Sequence, residues 1–213
     1  MIDGETAARN WVANLPECDA LAMERLEKLA GLLGEENARQ NLVAAASLAS
    51  VWQRHIADSA QLLPHVPRET SSPWLDLGTG AGFPGLVVAT LRPECEVVMV
   101  ESRIRRVEWL ERARIILGLN KAKVIGERLE KIQTFPACVI SARAFAPLDR
   151  LLDLSARFST EGTTWLLPKG RSARQELEVL RGWDHAFHVE QSLTDNDAGV
   201  IVGRLNGRKG RKT

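Results

Sequence analysis

The pattern of apolar and polar positions divides the chain near residue 70. Before that point the spacing is helical. Met23, Leu26, Ala30 and Leu33 recur at three- and four-residue intervals and predict an amphipathic helix over residues 17–33. A second helix is predicted over 50–63, with Trp52, Ile56, Ser59 and Leu63 on one face, Arg54, Asp58 and Gln61 on another, and Pro64 ending it. From Trp74 onward, short β-prone runs alternate with helical segments. The runs are Trp74–Leu77, Val97–Val100, Lys123–Ile125, Cys138–Ser141 and Thr164–Leu167, and helices are predicted at Gly85–Leu91, Ile104–Leu117, Leu148–Arg157 and Ser172–Leu180. Two more strand-like runs, His185–Glu190 and Val200–Leu205, end the series. Repeated strand–helix units imply an α/β fold with a parallel, doubly wound sheet. The predicted organisation is a helical cap over 1–70, an α/β core over 71–205 and a basic tail over 206–213.

Composition adds bounds. At 213 residues the chain suits one α/β domain with a short appendage. No apolar run reaches the length of a membrane span and residues 1–15 hold no signal-peptide core, so a cytosolic protein without membrane partners is expected. Cys18, Cys95 and Cys138 are scattered and lack zinc-ligand spacing, and neither a disulfide framework nor a metal site is expected. The net charge of +1 does not advertise a nucleic-acid binder. Its distribution is more informative: Arg103, Arg105, Arg106, Arg112 and Arg114 form one basic group, and the segment from Arg204 to Lys212 forms another. Local patches of this kind can engage phosphates without a basic average.

The chemistry is concentrated after the first run. Trp74-Leu75-Asp76-Leu77 leads directly into Gly78-Thr79-Gly80-Ala81-Gly82-Phe83-Pro84-Gly85. In an open α/β sheet this first strand-to-helix turn is the expected ligand site. A dinucleotide fingerprint wants glycine at the sixth position, where this chain has Phe83, and the third glycine comes one residue early at Gly82. The G-x-G-x-G loop instead resembles motif I of class I S-adenosylmethionine-dependent methyltransferases, which have a Rossmann-like fold. Asp76 before the loop suits a zwitterionic sulfonium better than a pyrophosphate. Glu101 follows the second run, about where a carboxylate meets ribose hydroxyls in this topology.

Further motifs make the resemblance specific. Asn41-Leu42, Arg54-His55-Ile56-x-Asp58-Ser59, the glycine loop, Glu101-Ser102 with Arg105-Arg106, Arg128-Leu129-Glu130, Ser141-Ala-Arg143-Ala-Phe-Ala146 and Lys169-Gly170 occur in that order. Together they resemble the bacterial small-subunit ribosomal RNA methyltransferase G family, also called the glucose-inhibited division protein B family. The resemblance implies a monomeric enzyme that methylates N7 of a guanosine in the 16S rRNA of the small ribosomal subunit. It implies cofactor contacts from Gly78, Gly80, Gly82, Phe83, Glu101, Leu129, Glu130 and Arg143. Arg54, His55, Arg105, Arg106 and Lys169 are the expected RNA-facing residues. The chain departs from the family pattern at Glu36-Asn37, at Val43 and at Pro168, positions that concern the cap more than the cofactor loop.

The reaction type has some support apart from the resemblance. The Asn/Asp-Pro-Pro-aromatic motif used on exocyclic amines is absent after the fourth run. Base C5 methylation needs a cysteine nucleophile, and Cys138 lies at the wrong end of its strand. A purine N7 needs neither device, because its in-plane lone pair is already nucleophilic, and alignment of the reactants can supply ~7–11 kcal/mol. Two other classes stay open on these residues: a small-molecule methyltransferase, and an RNA-binding module that kept the fold without the reaction.

Overall fold

The computed structural model describes residues 1–70 and 73–210. The cap begins with α1 (Glu5–Ala13) and α2 (Ala20–Asn37), the latter started by the Asp19 carboxylate, which accepts from the Ala22 amide at 2.7 Å. A short α3 (Ala45–Leu48), a π-helix (Trp52–Ala57) and α4 (Asp58–Ala60) complete it. Nine strands follow among the described residues: β1 (Trp74–Leu77), β2 (Val97–Val100), β3 (Ala122–Ile125), β4 (Val139–Ala142), β5 (Thr164–Lys169), β6 (Trp183–His185), β7 (His188–Gln191), β8 (Gly199–Gly203) and β9 (Leu205–Arg208). Between them lie α5 (Gly85–Leu91), α6 (Ile104–Ile116), α7 (Leu148–Ser155) and α8 (Ala173–Val179).

The main sheet has the order β3-β2-β1-β4-β5-β8-β7, in which β8 runs antiparallel to both of its neighbours, β5 and β7, and β7 shares the direction of β1 to β5. Its chain reversal lies between β1 and β4, the position where open α/β sheets bind ligands. Alternation along each strand sorts the core into two layers. Trp74, Val97, Met99 and Val139 face α5, α6 and the cap, whereas Leu75, Leu77, Val98 and Ile140 face α7 and α8. Every residue of α5 is buried, because the sheet covers one side and α2 and α4 cover the other. The cap is therefore a third layer on the core.

Four expectations change. No helix was expected at α1, yet the Glu5 carboxylate there accepts from the Trp52 and Gln53 amides at 3.0 and 2.9 Å and so holds the π-helix. The regular helix expected over 50–63 is widened into π geometry, and its polar face is not solvated: Asp58 and Gln61 pack against Ser192–Thr194. The expected strand 185–190 breaks between β6 and β7, which belong to different sheets. Residues 206–208 of the expected tail are in β9, where Arg208 stacks its guanidinium 4.4 Å from the Trp183 ring centroid. Arg211 and Lys212 of that tail lie outside the described residues.

Candidate functional site

The glycine loop is held from below by a buried polar network. Asp76 is fully buried and accepts from the Gly85 amide at 3.0 Å and from the Ser141 hydroxyl at 2.8 Å. Ser141 in turn accepts from the Trp74 indole at 2.9 Å. Burial pushes the Asp76 carboxyl up to about 6, against the pull of these hydrogen bonds. A Cβ on Gly85 would fall 2.6 Å from Met99 and 2.9 Å from the Asp76 carboxylate, so Gly85 provides the close helix–strand packing that a sixth-position glycine gives elsewhere. Gly78 has φ +61°, and a Cβ there would fall 2.3 Å from the Phe145 ring. The Trp109 indole donates to the Ala81 carbonyl at 3.0 Å and ties α6 to the loop. Trp109 is buried beside Leu110, Ala113 and Leu117, while Val107 is only half-buried.

A cleft of about 570 Å³ opens above this loop, at the carboxyl ends of β1, β2, β3 and β4. Gly78, Glu101, Leu129 and Glu130 line it, together with Arg106 and Phe145. Glu101 accepts from the Gly80, Ser102 and Arg103 amides at 3.1, 2.8 and 2.9 Å. A carboxylate offers about four acceptor sites, so one on Oε2 stays open toward the cleft. Arg106 stands 3.9 Å from that oxygen. Leu129 is buried at the wall, and Arg157 steadies its turn by donating to the carbonyls of Leu129 and Ile132. Gly80, Gly82 and Phe83 do not line this cleft: Gly80 acts through Glu101, and Phe83 is buried behind the loop.

Arg143 lies elsewhere. Its guanidinium pairs with Asp58 at 3.1 Å, donates to the Arg54 carbonyl at 3.1 Å, and sits 5.3 Å from the centre of the Phe83 ring. It thus lines a second cleft of about 350 Å³ between the cap and the ends of β4 and β5, with Arg54, His55, Asp58, Lys169 and Asp195. The His55 ring stacks on Phe83 with centroids 5.1 Å apart. The Ser47 hydroxyl donates to the Ala44 carbonyl and so accepts from His55 Nε2 at 2.9 Å, leaving Nδ1 to accept from Arg143 at 3.4 Å. Burial and the nearby Arg143 and Arg54 guanidinium groups push His55 down to about 4, so its imidazole is neutral at pH 7.

Two of the residues expected to face RNA are enclosed at this cleft. His55 is buried and uncharged, and Lys169 is turned inward, donating to the Ala146 carbonyl at 2.6 Å and to Glu176 at 2.8 Å. Both side chains shape the second cleft from within. Arg54 and Arg105 are exposed, and Arg106 is half-buried beside Gly80. Arg112 pairs with the buried Glu36 at 2.8 Å. Burial disfavours the Glu36 charge, but hydrogen bonds from Gln40 and Arg112 outweigh it and hold the carboxyl below its usual range. The unusual Glu36 therefore ties α2 to α6, while Asn37 accepts from the Leu42 and Val43 amides, both at 2.9 Å.

Arg128 and Phe145 stood in the motifs without a site role, and sequence patterns singled out neither Arg150 at the first cleft nor Asp58 as the partner of Arg143. The motif containing Asp58 was visible, but the strand-end arginine it meets is 85 residues away. Among the described residues no helix is long and apolar enough to cross a membrane, and no group of three or more His, Cys, Asp or Glu side chains could hold a metal.

With both clefts defined, comparisons with known proteins become informative. The family described as rRNA small subunit methyltransferase G matches residues 22–194. The chain belongs to that family. It is 60% identical over 205 residues to the ribosomal RNA small subunit methyltransferase G of Erythrobacter litoralis, covering 96% of this chain and 98% of the relative. Among solved structures, a methyltransferase from Geobacter sulfurreducens matches with a TM-score of 0.55 at 12% identity, covering 97% of this chain and 98% of that one. Fibrillarin from Aeropyrum pernix, solved with natively bound S-adenosyl-L-methionine, gives a TM-score of 0.55 at 15% identity over 71% of this chain and 75% of that one. These structural likenesses establish the class I methyltransferase fold.

Proposed function

We propose that the chain transfers the methyl group of S-adenosylmethionine to N7 of a guanosine in the 16S rRNA of the small ribosomal subunit. The observation that carries this reading is the first cleft. One unclaimed acceptor site of Glu101 suits a ribose hydroxyl, and buried Leu129 offers an apolar wall for the adenine beside Glu130. The residues present fit the cofactor. S-Adenosylmethionine, when bound, supplies an electrophilic methyl group.

The chain's own residues bind and orient. Gly78 keeps the loop free of a side chain where the cofactor passes, and Phe83, buried behind the loop, backs His55 and Arg143 on the acceptor side. No general base is required, because N7 carries no proton to remove. Arg103, Arg106, Arg128 and Arg150 around the mouth suit the phosphates of an RNA strand. Family membership supports the RNA substrate, and the N7 position follows from the family resemblance. No cap residue lines the first cleft, which disfavours a closed small-molecule lid. The reading puts the enzyme in the cytoplasm with the ribosomal subunits, and one copy suffices because both clefts come from a single chain.

The test is transfer of labelled methyl to small subunits, naked rRNA and small molecules in parallel. Label is expected in 16S rRNA as 7-methylguanosine. Label at an amine or ribose would refute the N7 assignment, and none in any ribosomal substrate would refute the substrate class.

A further inference from the structure

The second cleft carries a donor and acceptor set that the cofactor does not need. Strand order gives its relation to the first. Glu101 follows β2 and Leu129 follows β3, so a nucleoside there leaves the rest of the cofactor to cross Gly78, just after β1, toward β4. The turn after β4 separates the clefts: Arg143 lines the second and Ala144 the first. An acceptor that meets the methyl group must approach from the β4–β5 side, where the second cleft opens.

Most charges in that cleft are already matched. Arg143 pairs with Asp58, Lys169 with Glu176, and His55 is neutral. Two are not. Among the described residues neither Arg54 nor Asp195 has an ion-pair partner; the Asp195 carboxylate accepts from the Asp197 amide, and its carbonyl from Gln191 and the Ala198 amide. One unmatched guanidinium and one unmatched carboxylate line the same cavity. The Watson–Crick edge of guanine presents that complement, with O6 as acceptor beside the N1–H and N2 amine donors. Adenine presents an amine donor and a bare N1, which would set donor against guanidinium and acceptor against carboxylate. Recognition on this edge leaves N7 uncommitted.

We propose that the second cleft receives the target guanine, turned out of its stack, with Arg54 donating to O6 and Asp195 accepting from N1–H and the N2 amine. This assignment rests on the methyltransferase reading above. The π-helix serves it: Arg54 is held at the cleft by its own carbonyl, which accepts from Arg143, and by the stacked His55 that follows.

The test compares Arg54→Ala, Asp195→Ala and Asp195→Asn with Glu130→Ala of the first cleft. Binding of S-adenosylhomocysteine is measured by calorimetry and methyl transfer with whole small subunits. Arg54→Ala and Asp195→Ala are expected to bind the nucleoside within about twofold of wild type yet lose roughly ten- to hundredfold in kcat/KM for subunits. Asp195→Asn, which keeps one acceptor, should retain more activity than Asp195→Ala. Unchanged methylation by both alanine variants would overturn the proposal, as would a loss of nucleoside affinity equal to that of Glu130→Ala. Failure of the methyltransferase reading is distinguishable, since the wild-type enzyme would then label no ribosomal RNA at all.

Discussion

The two clefts lie on either side of one turn, yet they are built by different means. The first is local and backbone-made. Glu101 reads three amides, two of them on the next two residues, and the glycine loop runs directly out of β1. The second is assembled from side chains distant in sequence: Asp58 meets Arg143 and Thr194, and Gln61 meets Ser192. A cofactor common to a fold can be held by the strand ends that the fold always supplies. A particular acceptor needs a surface that only the cap and the late loops together create.

The largest break in this comparison is expected at Glu101. Glu101→Ala leaves three amides without their acceptor and removes the open Oε2 site. Cofactor affinity should fall by at least about 100-fold, with stability lower by roughly 2–3 kcal/mol, since each unmatched amide costs ~1–3 kcal/mol before water replaces the carboxylate. Calorimetric titration and thermal melting measure the two. A variant that binds S-adenosylhomocysteine like wild type would remove Glu101 from the cofactor site.

The clefts should also respond oppositely to pH. Asp76, below the first, is raised from 3.8 to about 6 by burial, so the unfolded chain releases that proton first and stability falls as pH rises from 4 to 6. His55, in the second, is lowered from 6.5 to about 4 by burial and by Arg143 and Arg54, so the unfolded chain takes up that proton first. Its contribution is complete above pH 6.5 and is lost as pH falls toward 4. Each is worth about 3 kcal/mol at 1.36 kcal/mol per unit, and in wild type the two largely cancel. Relative to wild type, Asp76→Asn should become more stable as pH rises across this window, and His55→Gln should become less so. Denaturant midpoints at pH 4 and 6.5 measure both slopes; parallel curves for the variants and wild type would refute the pairing.

How much was legible in the sequence follows from the same contrast. The strand ends, the glycine loop and Glu101 could be read because apolar periodicity and short-range spacing report local backbone, whereas Leu129-Glu130 came from the family resemblance. The resemblance also named Arg143, but not its partner: Asp58 was placed on a helix face with no contact assigned to it. Helical periodicity assumes 3.6 residues per turn and cannot foresee a π-helix held by Glu5 some 47 residues upstream. His55 and Lys169 were expected to face RNA from the family motifs, which say nothing of how each side chain is enclosed. Burial beside two guanidinium groups neutralises His55, and the Glu176 carboxylate, fixed by Lys169 and Ser172, turns Lys169 inward.

The smallest expected effect sits on the turn that separates the clefts. Ala144 has φ +53°, a left-handed conformation that costs a side chain-bearing residue roughly 1–2 kcal/mol. Ala144→Gly relieves that strain but enlarges the freedom of the unfolded chain, a loss of about 0.4–1 kcal/mol. The net gain should be below ~1 kcal/mol, which for a chain of this size raises Tm by about 2 °C. Activity should move the other way. Phe145 packs against Gly78 and Lys169 holds the Ala146 carbonyl, so the turn spans both clefts and sets the line between methyl donor and acceptor. A glycine there loosens that alignment, and kcat should fall about threefold with cofactor affinity unchanged. A lower Tm would show that Ala144 is not strained, and an unchanged kcat would show that the turn does not carry the alignment.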